Sequence, residues 1–94
     1  MSLFSNSKMD SVFSLADERS DCEVRFGKND IVVSYKDASG VAIYKGKEIG
    51  QGHYELKCPD RNARASLHMF PDGKILEGYW IEDGDTGFWR IHLA

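Results

Sequence analysis

The last third of the chain restricts the fold most strongly, because three alternating segments there are separated by two short turn sequences. Apolar and polar residues alternate over 64–70, 74–81 and 86–93, with Pro-Asp-Gly at 71–73 and Asp-Gly-Asp at 83–85 between them. Alternation with a period of two is typical of a strand with one buried face, and Pro, Asp and Gly favour tight turns. The region therefore predicts a three-stranded antiparallel sheet.

The first of these hairpins has a register that the apolar residues select. A four-residue loop pairs Phe70 with Ile75 and therefore places Leu67 opposite Gly78. A three-residue loop would instead place Leu67 opposite Glu77, because a slip of one residue exchanges the two faces of a strand. The four-residue loop keeps apolar side chains together, so we expect that register.

The second hairpin is expected to turn at Gly84 and Asp85. A type II′ turn requires glycine at its first central position, which Gly84 supplies. The resulting register places Trp80 directly opposite Trp89 on the apolar face. The two tryptophans are then expected to lie together in the core.

The opposite face of the predicted sheet carries the polar and ionisable side chains that are best suited to catalysis or binding. The same pairing places Glu77 between His68 and His92 in one cross-strand row, with Tyr79 and Arg90 in the next. Directly opposed side chains have Cβ atoms about 4.5–5.5 Å apart. A carboxylate between two imidazoles permits three readings: a metal site, an acid–base centre and ordinary charge pairing.

Catalysis is the least favoured of these readings. Two imidazoles and a carboxylate suit zinc, and a glutamate can orient a catalytic histidine. Ligands on a flat sheet face nevertheless point in parallel rather than converge, and no nucleophile or phosphate-binding motif accompanies them. We therefore predict no catalytic residue, no metal ligand and no cofactor. An enzyme that uses His68, Glu77 and His92 ranks third among the possible functions.

An interaction surface is the favoured reading of the same face. Apolar side chains at Phe70, Ile75, Ile81 and Phe88 surround the polar rows, and a patch of this kind commonly marks a contact. The sequence thus predicts a non-enzymatic binding module that self-associates through this face or an open edge strand, or that binds a protein partner. The expected binding residues are His68, Glu77, Tyr79, Phe88, Arg90 and His92.

The middle of the chain extends the sheet. Four further alternating segments lie near 22–26, 31–35, 41–44 and 54–58, joined by short turns. Strands that follow one another at this spacing usually pair with their sequence neighbours. We predict a mainly β fold over 21–94: a seven-stranded antiparallel meander curled into a small barrel or half-barrel.

The first twenty residues differ from the remainder, and we predict that they are helical. Met9, Val12, Phe13 and Ala16 recur at the spacing of one helix face. A short amphipathic helix here would cover an opening of the barrel, or it would cover the outer face that carries Phe70, Ile75, Ile81 and Phe88 and bury Met9 and Phe13 there. Residues 1–94 are then expected to form a single domain.

The Gly-Tyr-Trp and Gly-Phe-Trp sequences at 78–80 and 87–89 resemble the curled hairpins of calycin-type barrels, such as the lipocalins and avidins. The likeness covers residues 64–93. It implies, as the alternative function, a barrel that binds a small apolar ligand beside Tyr54, Trp80 and Trp89. Small barrels more often fill their interiors with their own side chains, so this reading ranks second.

Composition narrows the class of partner and the location. Twelve Lys and Arg against fifteen Asp and Glu give a net charge of −3, which argues against nucleic acid as partner. No run of about twenty apolar residues predicts a membrane span, and the first residues lack the features of a secretory signal. Cys22 and Cys58 occupy apolar strand positions and are expected to be buried free thiols. A cytoplasmic protein is the expectation.

Overall fold

The computed structural model describes residues 2–13, 16–38 and 40–94. Within these residues the chain forms eight strands and one short 3-10 helix, and it contains no α-helix. In chain order the elements are β1 (Ser2–Phe13), β2 (Ala16–Phe26), β3 (Asp30–Asp37), β4 (Gly40–Gly50), β5 (His53–Cys58), the 3-10 helix (Pro59–Arg61), β6 (Ala63–Met69), β7 (Ile75–Glu82) and β8 (Asp85–His92).

The strands form a closed antiparallel barrel. Each strand pairs with the next along the chain, and β8 pairs with β1 to complete the ring. Met9, for example, lies opposite Ser20 on β2 and opposite Ile91 on β8. The mainly β antiparallel meander and the small barrel are therefore confirmed. The predicted count of seven strands is wrong, because the N-terminal segment supplies one strand and lengthens the next.

The predicted N-terminal helix is wrong for a specific reason. Met9 and Phe13 are four residues apart, and that spacing puts two side chains on one face of a helix and also on one face of a strand. In β1 Met9 is buried in the core, and Phe13, 43% exposed, packs on Trp80 at the rim of the interior, whereas Val12 points outward. Met1, Ser14 and Leu15, which the helical segment included, lie outside the described residues.

The predicted register of the hairpin between β6 and β7 is confirmed, and that of the hairpin between β7 and β8 is wrong. Leu67 lies opposite Gly78 as predicted, so the four-residue loop after β6 is confirmed. In the next hairpin the turn residues are Asp83 and Gly84, whose φ angles of 49° and 92° are both positive, as a type I′ turn requires. The register is shifted by two residues from the prediction. An even shift leaves every side chain on its predicted face.

The observed register pairs each tryptophan with a glycine. Trp80 lies opposite Gly87, and Trp89 lies opposite Gly78. A Cβ atom at Gly87 would approach Cζ2 of Trp80 to 2.3 Å and the carbonyl oxygen of Val12 to 2.4 Å. Trp80 therefore occupies the space that the missing side chain of Gly87 leaves.

The barrel has a filled end and an open end. At the filled end Phe26 packs between Phe4 and Tyr54, with ring centroids 5.9 and 5.8 Å away, and the backbone N–H of Asn6 donates to the carbonyl of Ala94. Tyr44 and Trp89 fill the middle with centroids 4.9 Å apart. The open end, where β1, β3 and β7 finish, retains a cavity.

Both cysteines lie in the core, and both are free and buried, as predicted. Burial, and secondarily the neighbouring carboxylate of Asp21, raises the pKa of the Cys22 thiol to about 12. This thiol is therefore protonated and unreactive at neutral pH.

Among the described residues, no helix has the length and apolar character of a membrane span.

Gly87→Ala is expected to lower the free energy of unfolding by about 1–3 kcal/mol, the usual cost of inserting a group into a filled core. The added methyl group must displace the Trp80 ring. Urea denaturation measures the loss, and tryptophan fluorescence reports the displacement. Gly50→Ala is the matched control, since its Cβ would lie no closer than 3.9 Å to a neighbour, His53. Equal losses in the two variants would contradict the proposed packing.

Candidate functional site

A row of alternating charges crosses four strands on the outer surface. Glu77, Arg90, Asp10 and Arg19 occupy facing positions on β7, β8, β1 and β2, and we call these four residues the charged row. Arg90 Nη2 and Nε lie 3.0 and 3.1 Å from Glu77 Oε2, and Arg19 Nε lies 2.7 Å from Asp10 Oδ1. Antiparallel pairing of the strands thus places opposite charges side by side.

The predicted row of His68, Glu77 and His92 does not form. Glu77 faces His68 on one side as predicted, but it faces Arg90 on the other. The two-residue shift of β8 moves His92 away, and its Nε2 lies 3.1 Å from Oδ2 of Asp10 instead. The shift separates the two imidazoles that a metal site or an acid–base centre would need together.

A serine, a histidine and a glutamate do meet on β5 and β6, a grouping that the sequence reasoning missed. Nε2 of His53 lies 3.2 Å from Oγ of Ser66 and 3.1 Å from Oε2 of Glu55. Both contacts use the same ring nitrogen, whereas a catalytic triad uses one nitrogen for the nucleophile and the other for the carboxylate. The arrangement is therefore a surface hydrogen-bond cluster without relay geometry.

An apolar row adjoins the charged row. Tyr79 faces Phe88, and Phe88 faces Val12, so the three side chains are contiguous across β7, β8 and β1. Their exposed fractions are 49%, 39% and 36%, and we call these three residues the outer patch. Tyr79 was predicted to face Arg90 and faces Phe88 instead. The helix considered as a cover for this face does not exist, so no described element covers the patch.

The remaining predicted apolar residues lie around the outer patch. Phe70 is 65% exposed and its ring packs edge-on against His68, with centroids 4.9 Å apart. Ile75 is exposed opposite His92, and Ile81 is half-buried. These side chains extend the apolar surface toward both ends of β7.

Asp10 is the electrostatic centre of the charged row. The hydrogen bond from Arg19 is the largest cause that lowers the pKa of this carboxyl to about 2, and the contact with His92 acts in the same direction. Asp10 is therefore ionised throughout the neutral range. The sequence analysis missed Asp10 and Arg19 because it assigned the first twenty residues to a helix.

The residues expected to line an internal ligand site are divided between the two ends of the barrel. Trp80 and Trp89 border a cavity of about 240 Å³ at the open end. Tyr54 packs against Phe26 at the filled end and takes no part in that cavity. The remaining lining residues are Met9, Ser11, Phe13, Glu18, Ser20, Tyr35, Lys36, Asp37 and Glu82.

The rim of this cavity carries charge of both signs. Arg61 on the 3-10 helix reaches over the rim, and its two terminal nitrogens lie 2.7 and 3.0 Å from the carboxylate oxygens of Asp37. This ion pair raises the pKa of Arg61. Across the mouth, Glu18 and Glu82 present two more carboxylates, and Oε1 of Glu82 lies 3.5 Å from the hydroxyl of Tyr44.

Neither a grouping of metal ligands nor a similarity to known proteins assigns a function to this chain. In the part of the chain that the structure describes, no group of three or more His, Cys, Asp or Glu side chains is placed to hold a metal ion. Comparisons with family models, with curated proteins and with solved structures found no match to this chain. The protein therefore offers two candidate functional surfaces. One is the outer face of β7, β8, β1 and β2, and the other is the open end of the barrel.

Asp10→Asn is expected to destabilise the protein in a manner that depends on pH. The pKa of Asp10 is depressed from 3.8 to about 2 on folding, so its ionised form stabilises the fold above 3.8, and this contribution disappears as the pH falls toward 2. The difference in unfolding free energy between wild type and variant should therefore shrink over that interval.

Asp72→Asn is the control, because Asp72 forms no ion pair or hydrogen bond with another described residue through its carboxylate. Denaturant unfolding at a series of pH values measures both variants. A difference for Asp10→Asn that stays constant from neutral pH down to pH 2 would contradict the assigned role of Arg19.

Proposed function

We propose that this protein is a non-enzymatic interaction module that associates with a second copy of itself through the outer face of β7, β8, β1 and β2. The observation that supports this proposal is the adjacency of the outer patch and the charged row. Among the described strands the barrel has no open edge, since each one pairs on both sides. Association through the face is therefore the form of the interaction that we propose, in place of edge pairing.

The charged row is self-complementary. A two-fold axis parallel to the strands, midway between Arg90 and Asp10, reverses the order of the row in the second copy. Glu77 then faces Arg19 of the second copy, and Arg90 faces its Asp10. Two-fold interfaces are the commonest in homo-oligomers, and they require this kind of self-complementary surface. Four alternating charges satisfy that requirement.

The same axis matches the neighbouring apolar row. Phe88 would face Val12 of the second copy, and the Tyr79 hydroxyl would face the exposed carboxylate of Asp17, which lies opposite Val12 on β2. Apolar contact would supply affinity, at roughly 25 cal/mol per Å² buried, while the charges would set orientation. Tyrosine and arginine are also residue types enriched at energetically important contacts.

The shape of the molecule limits the strength of this association. Its extents are 31 × 23 × 21 Å, and the outer surface of a barrel is convex. Two convex faces of this size bury less than the roughly 800 Å² per partner of a standard stable interface. We therefore expect a weak, reversible dimer.

Phe88→Ser is expected to weaken self-association by about tenfold or more, because it removes the central aromatic contact. Sedimentation equilibrium measures the dissociation constant. Ile43→Ser is the matched control, since Ile43 is 46% exposed on β4, away from the proposed interface. A wild-type protein that stays monomeric at millimolar concentration, or equal weakening by both variants, would contradict the proposal.

A mixing experiment tests the two-fold arrangement itself. Arg90→Glu alone would place a negative charge against Asp10 of the second copy, and Asp10→Arg alone would place a positive charge against Arg90 of the second copy. Each variant should be monomeric by itself. Mixed together, they should associate, because every facing pair is then of opposite sign. Variants that dimerise alone as well as wild type does, or that stay monomeric in the mixture, would contradict this arrangement.

A second candidate function is the binding of a small ligand inside the barrel. The observation that favours it is the cavity at the open end, beside Trp80 and Trp89. Eight-stranded barrels are just wide enough to hold one small ligand.

We also propose a cytoplasmic location, which the buried free thiols of Cys22 and Cys58 support. His68, Glu77 and His92 carry no catalytic proposal, because β8 places His92 in a different row.

A further inference from the structure

We infer that the open end of the barrel binds a small organic ammonium ion with a flat apolar body. The inference rests on the second candidate function, the binding of a ligand inside the barrel, and it specifies the chemical class of that ligand. Three features of the cavity support it: aromatic walls, carboxylates that lie outside ion-pair distance of a described cation, and a restricted volume.

The aromatic walls are formed by side chains from four strands, β1, β3, β7 and β8. Phe13 lies at the rim with its ring centroid 5.6 Å from that of Trp80, and Trp80 lies 6.5 Å from Trp89. Tyr35 stands edge-on to Trp89 at 5.9 Å on the other side. A cation within about 6 Å of such a ring is attracted by the negative face of its π system, most strongly for tryptophan. The walls therefore suit a ligand that is both apolar and positively charged.

The carboxylates of Glu18 and Glu82 line the same cavity. Neither carboxylate lies within ion-pair distance of a described cation, although the charge of Glu82 also acts on Arg61. The hydroxyl of Tyr44, at 3.5 Å, is the sole hydrogen-bond partner of the Glu82 carboxylate in the described chain. A charge-assisted hydrogen bond from an ammonium group to a carboxylate is about twice as strong as a neutral one. These two side chains can therefore receive a ligand cation at the mouth.

The other charges at the mouth leave this preference in place. Asp37 lines the cavity too, and the bidentate contact with Arg61 compensates its charge. Lys36 lies at the edge of the cavity on an exposed position. Three carboxylates thus face two cations, one of which is held by Asp37. An anionic ligand would meet repulsion from Glu18 and Glu82.

The volume restricts the size of the ligand. At about 240 Å³, the cavity lies below the roughly 300–1,000 Å³ of sites for drug-sized molecules. The rings of Phe4, Phe26 and Tyr54 fill the opposite end, so entry occurs from the open end alone within the described structure. A single ring with a short ammonium side chain can place the ring against the aromatic walls and the charge at the rim.

Phenethylammonium is a suitable probe, with 2-phenylethanol as a neutral analogue and 3-phenylpropionate as an anionic one. Binding is followed by tryptophan fluorescence and by chemical-shift perturbation in two-dimensional NMR of the isotope-labelled full chain. We expect phenethylammonium to bind about tenfold or more tightly than the alcohol, with the propionate weakest. The largest shifts should fall on Phe13, Trp80, Trp89 and their neighbours.

Glu82→Gln should weaken the binding of phenethylammonium by about tenfold and leave the affinity for 2-phenylethanol unchanged, because it removes the charge and keeps the shape of the side chain. Glu23→Gln is the control, because Glu23 lies on β2 outside the charged row and the cavity lining, and it should change the affinity for neither ligand. Equal affinity for the ammonium and the alcohol in wild type would overturn the inferred ligand class while leaving the barrel as a binding site for small apolar molecules. Absence of binding by all three probes, or shifts confined to the outer surface, would overturn both the class and the second candidate function.

Discussion

The pairing of β1 with β8 is the contact on which the other features depend. It closes the sheet, and closure removes the open edges that an eight-stranded meander would otherwise expose at β1 and β8. It also builds both candidate sites. Asp10 and Val12 enter the outer face through this pairing, and Phe13 reaches the rim of the open end beside Trp80. Without β1, the charged row would lose its middle and the cavity would lose a wall.

The narrow interior imposes a second constraint, which fixes the last hairpin. The structure pairs each indole with a glycine, and the two rings lie with centroids 6.5 Å apart. A side chain at Gly78 would approach the carbonyl oxygen of Ser66 to 1.7 Å, so the backbone of β6 occupies the space there. The positions of Arg90 and His92 on the outside therefore follow from the packing of Trp80 and Trp89 on the inside.

Some of this architecture could be predicted from the sequence and some could not. The hairpin of β6 and β7 was predictable because only one register keeps Leu67 on the apolar face. The register of β7 and β8 was missed because Asp83-Gly84 and Gly84-Asp85 both fit a two-residue turn, and both leave every side chain on the same face. The choice between them depends on the fit of Trp80 over Gly87 beside β1, a property of the closed barrel.

The N-terminal strand was missed because its apolar spacing fits two periods, and the error removed Asp10, Phe13, Glu18 and Arg19 from the candidate sites. Glu77, Tyr79, Phe88 and Arg90 were placed on the correct face because parity alone decides that. Which of them are neighbours depends on register, and their partners from β1 depend on closure. The residues that the sequence did not predict in the two sites are therefore those that the pairing of β1 with the distant strand β8 brings in.

The outer face and the open end are separate surfaces on one scaffold, and both presuppose that residues 2–13 form the closing strand. Two-dimensional NOE spectroscopy of the labelled protein tests this most directly. The account predicts cross-strand backbone contacts between Met9 and Ile91 and between Asp10 and Arg90, with slowly exchanging amides along β1. Sequential amide–amide contacts of a helix over residues 8–13, without contacts to β8, would contradict it.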